Sequence, residues 1–293
     1  MGNKIMNGSP RPVAKAGGNL IVKKGKGYGM SGCLNRYFSE IHRNRFLLKV
    51  LVQRDIFMKY RRSALGIFWA VLTPLGLAVI VGGVYAILFG TSPLTLIPLI
   101  FASINPWSFM SGTADGATGC FLAAEGYIKQ STVGTIIFPL RTTISNFITL
   151  LYSSLTFFAI YLLMQPELFS WKMLLCLPGL FLMFCFTLGI SNITSIVNLY
   201  FRDYAPIQSL LLQGLFYATP IIYDTSMLDE KGAAIIYQVN PFYYMIEVVR
   251  RPMLGEVLPT VRCYLMAITL TLVSFLAGIV IQVKFRNKIV FQM

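Results

Sequence analysis

Long apolar runs, separated by short charged or aromatic segments, set the pattern of this chain. Stretches of about twenty predominantly apolar residues, the length that crosses a bilayer, fall at 67–90, 95–120, 142–164, 172–199, 204–222 and 262–283. Six such helices predict an all-α integral membrane protein with both termini on one side. Ahead of them, Phe46, Leu47, Val50, Leu51, Phe57 and Met58 recur at helical spacing among Arg43, Arg45, Lys49, Gln53 and Lys59. That pattern predicts an amphipathic helix region over 34–64, lying in the membrane interface or packed on the body of the protein. Gly66 stands where it must turn into the first span. Residues 1–33 are rich in Gly, Lys, Asn and Ser and read as a flexible basic arm.

The connecting segments differ in kind. Residues 121–141 are too polar for the hydrocarbon core and predict a short surface helix ending before Pro139, since proline disfavours helical geometry in its predecessor; it is a simple connection or a docking knob for a partner. Tyr200–Pro206 is a tight turn. Residues 223–261 hold Tyr223, Tyr237, Phe242, Tyr243 and Tyr244 around Asn240-Pro241, and a structureless loop of that length is uncommon. Short re-entrant or gate helices between the fifth and sixth spans are expected there. The transmembrane domain therefore runs over 65–285, with 286–293 as a tail. Unequal loops argue against the inverted-repeat design of many secondary carriers.

Composition agrees with membrane insertion: 56% of the 293 residues are hydrophobic and 12% charged, against about 25% charged in soluble domains. Charge also orients the chain. Residues 1–62 hold fourteen of the twenty-five Lys and Arg residues against only Glu40 and Asp55. The arm, Lys129, Arg141, Arg202, Lys284, Arg286 and Lys288 share one face, which the positive-inside rule makes cytoplasmic. On the other face Lys172, Lys231, Arg250, Arg251 and Arg262 are balanced by Glu167, Asp224, Asp229, Glu230, Glu247 and Glu256. A basic arm beside a span attracts anionic membrane lipid, so the net charge of +14 does not call for nucleic acid. Leu20-Ile21-Val22 is too short for a signal-peptide core, leaving the first span as the expected insertion signal.

Catalytic chemistry is sparse. Five scattered cysteines and the single His42 provide no metal-type spacing. There is no G-x-x-x-x-G-K-[ST] segment, so any ATP use falls to another chain. Asp115 is the one carboxylate inside a predicted span, and it serves helix packing or transport. An integral-membrane transferase should carry clustered acids or histidines, and an ion-coupled carrier ionisable groups near the midplane; neither pattern is present. Aromatic residues at span ends are ordinary interface anchors, yet Phe68, Trp69, Phe216 and Tyr217 facing a path could stack on sugar rings. Arg54, Lys59, Arg61 and Arg62 either hold the lipid surface or form charge-assisted hydrogen bonds with a phosphate-bearing head group.

The run Arg54-Asp55-x4-Tyr60-Arg61-Arg62-Ser63-x-Leu65-Gly66-x2-Trp69-x4-Pro74 resembles the membrane-entering segment of type-2 ABC exporter permeases for bacterial polysaccharides such as O-antigen, teichoic acid and capsule. Further matches follow in order: Pro106-Trp107-Ser108-Phe109, Phe138-Pro139-Leu140-Arg141, Tyr200-Phe201-Arg202-Asp203, Thr219-Pro220-Ile221-Ile222-Tyr223, and Asn240-Pro241-Phe242 with Glu247 and Arg250. The resemblance spans about residues 43–285. It implies a homodimer in the bacterial inner membrane, served by two ATPase subunits that bind ATP and magnesium, and a lipid-linked polysaccharide as substrate. It further implies ATPase contact through the helix around 47–62 and the loop around 125–129, with Arg54, Asp55, Glu125, Tyr127, Ile128 and Lys129 as the expected coupling residues; on the phosphate reading of the basic residues, Lys59, Arg61 and Arg62 form a head-group entrance. The first and fifth spans would line the channel, with Phe68, Trp69, Phe216 and Tyr217. Pro220, Tyr223, Asn240, Pro241 and Arg250 would belong to an external gate. The arm 1–33 is longer than the leader expected of the family. A type-2 exporter of a drug or small lipid is the alternative within transport.

Overall fold

A computed structural model describes residues 29–61, 63, 65–130, 133–164, 167, 170–255 and 257–292; the arm at 1–28 and Arg62 lie outside these residues. Among the described residues the regular structure is entirely helical. The amphipathic region forms two helices, α1 (Met30–Arg43) and α2 (Arg45–Tyr60). They break at Asn44, whose side-chain amide donates to the Glu40 carbonyl at 2.8 Å, the local competition with helix that asparagine favours. The break lets α1 pack on the last helix while α2 packs on the third span.

Gly66 has φ 50°, a left-handed conformation that glycine adopts without steric cost. It opens a 3₁₀ turn, Gly66–Phe68, that leads into α3 (Trp69–Phe89). The Trp69 indole N–H donates to Ser63 Oγ at 2.9 Å and holds the corner. Then come α4 (Pro93–Thr118), α5 (Glu125–Gln130), α6 (Ile137–Met164), α7 (Cys176–Tyr200) and α8 (Tyr204–Ala218). The segment after α8 holds α9 (Ser226–Glu230), α10 (Ile235–Gln238) and α11 (Pro241–Met253), and α12 (Val261–Gln292) follows. Ser92 caps α4, its hydroxyl accepting from Leu94 N at 3.3 Å, and Pro93 occupies the first helical position, where no N–H is needed.

Two expectations are refined. The surface helix of 121–141 is α5, and it ends at Gln130; Pro139 lies inside the first turn of α6, a place where a missing N–H breaks no intrahelical bond. Among the described residues five helices, α3, α4, α6, α7 and α12, are long and apolar enough to cross a membrane. The remaining predicted crossing, 204–222, contains the 15-residue α8, about 22 Å long at 1.5 Å per residue against a hydrocarbon core of about 30 Å. It stops because Thr219 adopts extended geometry, ψ 132°, as the residue before a proline is pressed to do.

The central helix is α4, which packs against α3, α6, α7, α8 and α11. Phe101, Ile104, Trp107 and Met110 from α4 meet Phe157 of α6, Met183 and Phe186 of α7, and Met245 of α11 in one buried core. Helices α7 and α12 pack most closely: a Cβ on Gly189 would sit 2.4 Å from the Ser274 carbonyl oxygen, and one on Gly278 2.6 Å from that of Gly189. Small residues permit such contact where lipid gives helices no hydrophobic reason to associate. A second core at one end of the bundle joins Leu48 and Leu51 of α2, Ile128 of α5, Phe138 of α6 and Ile289 of α12. Ile80, Ile87, Phe181 and Val273 are exposed and suit a lipid-facing surface.

Candidate functional site

The charged end of the bundle brings α2, α5 and the start of α6 together. Asp55 accepts from one edge of the Arg141 guanidinium, Nη2 to Oδ1 at 2.8 Å and Nε to Oδ2, the forked geometry that makes such pairs directional. Arg54 Nη1 donates to Tyr127 Oη at 3.0 Å. Glu125 and Lys129 form an i,i+4 pair on exposed α5. The expected coupling residues therefore form one surface, except that Ile128 is only 5% exposed and belongs to the buried core shared with α2 and α6 instead of facing outward. Arg141 was visible in the sequence as a positive charge closing the Phe138-Pro139-Leu140-Arg141 match, but without a partner; Asp55 gives it one. Nearby, Arg286 pairs with the buried Glu40 at 3.1 Å and ties α12 to α1.

Of the expected entrance residues, Arg61 is exposed beside the Phe57 ring, 5.8 Å from its centroid. Lys59 borders a cavity between α3, α4 and α6, and desolvation draws its ammonium below the ordinary lysine value. Trp69 borders that same cavity, and Phe68 is exposed at the start of the span. Phe216 and Tyr217 border a different cavity of about 440 Å³ between α4 and α8, so the two aromatic pairs do not meet around one space within a single chain.

The α4–α8 cavity has a graded lining. Trp107, Ser111 and Asp115 recur every four residues along α4, facing Ser209, Gln213, Phe216 and Tyr217 of α8. Phe216 lies edge-on to Trp107, with centroids 5.7 Å apart, and to Tyr217 at 5.3 Å. Asp115 Oδ1 accepts from Gln208 Nε2 at 3.1 Å and Ser209 Oγ at 3.0 Å. Polar groups thus occupy the end nearest the charged surface, and aromatic rings the deeper part. Asn198 fixes this corner by donating to the Thr118 carbonyl and accepting from Ala205 N, both at 3.0 Å.

At the opposite end, the expected gate residues converge on the turn after α8. Asn240 donates to Thr219 Oγ1 at 2.7 Å and caps α11 by accepting from Phe242 N at 3.0 Å; Pro241 takes the first helical position. Arg250 Nη1 donates to the Pro220 carbonyl at 2.7 Å and to Ser103 Oγ of α4 at 3.3 Å. Glu247, buried, pairs with both Arg250 and Arg251. Tyr223 Oη donates to the Tyr217 carbonyl at 2.9 Å. Burial would raise the Asp224 carboxyl, but hydrogen bonds from Ser226 and the charges of Arg250 and Arg251 hold it below the usual range. Glu247 and Ser103 were not picked out from sequence as gate residues, although Glu247 lies in register with Arg250. Among the described residues no group of three His, Cys, Asp or Glu side chains could hold a metal.

Over residues 46–254 the sequence matches the ABC-2 type transporter family. The chain belongs to that family. A Klebsiella pneumoniae protein named O-antigen export system permease protein RfbA is 28% identical over 203 residues, covering 68% of this chain and 77% of the relative. A Myxococcus xanthus protein of the same name is 27% identical over 211 residues, covering 70% and 79%. For this ABC-2 type transporter the matched span takes in α2 through α11, and so contains the charged surface, both cavities and the α8–α11 turn. Helices α1 and α12 lie beyond it.

Proposed function

We propose that this chain is the permease subunit of an ATP-driven exporter of lipid-linked, O-antigen-type polysaccharide, working as a homodimer with two separate ATPase subunits in the bacterial inner membrane. The observation that carries the reading is that its relatives over two thirds of the chain bear the name O-antigen export permease. An undecaprenyl diphosphate-linked glycan is the substrate class. Both termini face the cytoplasm, where the charged end of the bundle meets the partner.

In this reading Glu125, Tyr127 and Lys129 present α5 to the ATPase. Arg54 and the Asp55–Arg141 pair carry its movement into α2 and α6, because a forked ion pair resists shear between the elements it joins. ATP and magnesium bind in the partner, whose hydrolysis supplies the work. The α4–α8 cavity receives glycan: Asp115, Gln213 and the serines suit sugar hydroxyls, and Trp107, Phe216 and Tyr217 suit the C–H faces of sugar rings. A second copy covers this cavity with its α3, completing a sixth crossing at α8 whose outer end is closed by the Arg250-centred turn.

Deletion of the gene in its host tests the proposal. Surface polysaccharide should disappear while lipid-linked glycan accumulates inside, and the intact gene should restore export. Normal surface glycan in the deletion strain would overturn the reading in favour of a drug or small-lipid exporter. The purified chain alone should hydrolyse no ATP.

A further inference from the structure

The walls assigned to the glycan are almost free of charge. Along α3, α4 and α8 the sequence holds a single Asp, Glu, Lys, Arg or His, and it is Asp115. In the α4–α8 cavity Asp115 stands among serines, Gln213 and three aromatic rings, with no basic side chain on the lining. The second copy proposed to cover this cavity does so with α3, and so brings no cation to it. Cations beyond either end are already engaged: Arg250 and Arg251 share the buried Glu247, and Arg141 is held by Asp55.

Asp115 is fixed without being neutralised. Its Oδ1 accepts from Gln208 Nε2 at 3.1 Å and from Ser209 Oγ at 3.0 Å, and neither donor is a cation. It lies in the last turn of α4, at the polar end of the cavity. A fixed charge between low-dielectric walls projects its field into the space they enclose. Sugar hydroxyls, acetamido N–H groups and protonated amines are drawn to it. Carboxylates, phosphodiesters and sulfates are repelled, and no neighbouring cation offsets the repulsion. A carrier diphosphate crosses once per polymer, whereas an acid in the repeat has to pass Asp115 at every unit.

We infer that this path selects glycans whose repeating unit carries no acidic group, and that Asp115 is the residue that turns polyanionic polymers away. The inference rests on the export reading and narrows its substrate class. Neutral and amino-sugar polymers pass, while uronate-, phosphate- or sulfate-bearing ones do not. Polymers of the teichoic acid type, with a phosphodiester in each repeat, fall on the excluded side. In the homodimer two copies of Asp115 act on the chain, which sharpens the discrimination.

Two measurements on whole cells test it. The polymer that vanishes from the surface of the deletion strain and returns with the gene should hold no uronate, phosphate or sulfate in its repeat, read by sugar and phosphate analysis. An acid in every repeat overturns the inference and leaves the export reading standing, whereas a deletion without effect on surface glycan overturns the export reading itself. In the same strain an added cytoplasmic transferase then decorates the polymer with a glucose or a glucuronate branch, so that carrier and chain ends stay alike. The complete transporter should display the bare and glucose-branched polymers alike and the glucuronate-branched one about tenfold less. Asp115→Asn should narrow that gap severalfold, read as the ratio of the two branched polymers whatever its effect on total export. Gln213→Lys, which sets a cation on the facing wall, should narrow it with Asp115 intact. Equal display of both branched polymers by wild type, or an unchanged ratio in both variants, overturns the inference. Rejection of the glucose branch as well would make size the selecting property, and overturns it equally.

Discussion

Glu247 carries two arginines on one buried carboxylate, and through Arg250 it reaches both the Pro220 carbonyl and Ser103 of α4. Removing it strands a cation where water cannot follow. Glu247→Ala should cost about 3–5 kcal/mol, the typical penalty for breaking a buried pair by deleting one partner, and thermal unfolding of the purified chain in detergent measures it. Glu247→Gln, which keeps an acceptor, should lose less; equal melting of all three proteins would mean that Arg250 has another counter-charge. Asp115 poses a different question, because its hydrogen bonds to Gln208 and Ser209 satisfy a packing role as well as a binding one. Asp115→Asn keeps an acceptor for both donors and removes only charge, so stability should hold while surface glycan falls severalfold, read by gel analysis of cell-surface polysaccharide. Unchanged glycan would return Asp115 to packing alone. Helical spacing makes the Glu247 pairs legible in the sequence, three and four residues apart, but Arg141 and Asp55 are 86 residues apart and no local spacing encodes that meeting.

At the scale of elements, hydropathy identified the long spans and the aromatic segment between α8 and α12, because each depends on local composition. The Asn44 break and the early end of α8 were harder to see, since both turn on one residue's backbone preference within an otherwise continuous pattern. Helix α5 illustrates the difference between presence and role. Its existence was legible, whereas the inward turn of Ile128 depends on contact with α2 and Phe138 of α6. Ile128→Asp should detach α5 and uncouple ATP hydrolysis from export in the assembled transporter, while Glu125→Ala and Lys129→Ala should leave insertion intact and weaken coupling only. ATPase assays of the complex with and without glycan substrate read both, and full coupling in Ile128→Asp would remove α5 from the proposed interface. The α7–α12 contact makes a structural counterpart. Gly189→Val must displace the Ser274 backbone, so this variant should melt lower than wild type in detergent and insert poorly.

For the whole molecule, the two grooves are a problem that one chain does not solve. The α4–α8 cavity carries Asp115, Gln213 and Ser209, groups that hydrocarbon solvates badly. In α3, by contrast, only 17% of the span window is buried, against 56% in α4, so most of that helix is left to lipid or to another protein. The proposed second copy answers both, its α3 lying across the α8 groove so that Phe68 and Trp69 approach the partner's polar end, where Asp115 and Ser209 lie. Helices α3 and α8 both rise from the charged end. Ile80 and Tyr217, exposed on their respective helices, then stand at similar heights, about 17 and 20 Å along at 1.5 Å per residue. Chains carrying Ile80→Cys and chains carrying Tyr217→Cys, co-expressed in membranes, should therefore yield an oxidised species of twice the 32.8 kDa chain mass that neither gives alone. The native cysteines give little background, four being buried and Cys185 half-buried. If mixed chains cross-link no more than either variant alone, α3 does not cover the α8 groove, and the glycan path must be closed by another surface.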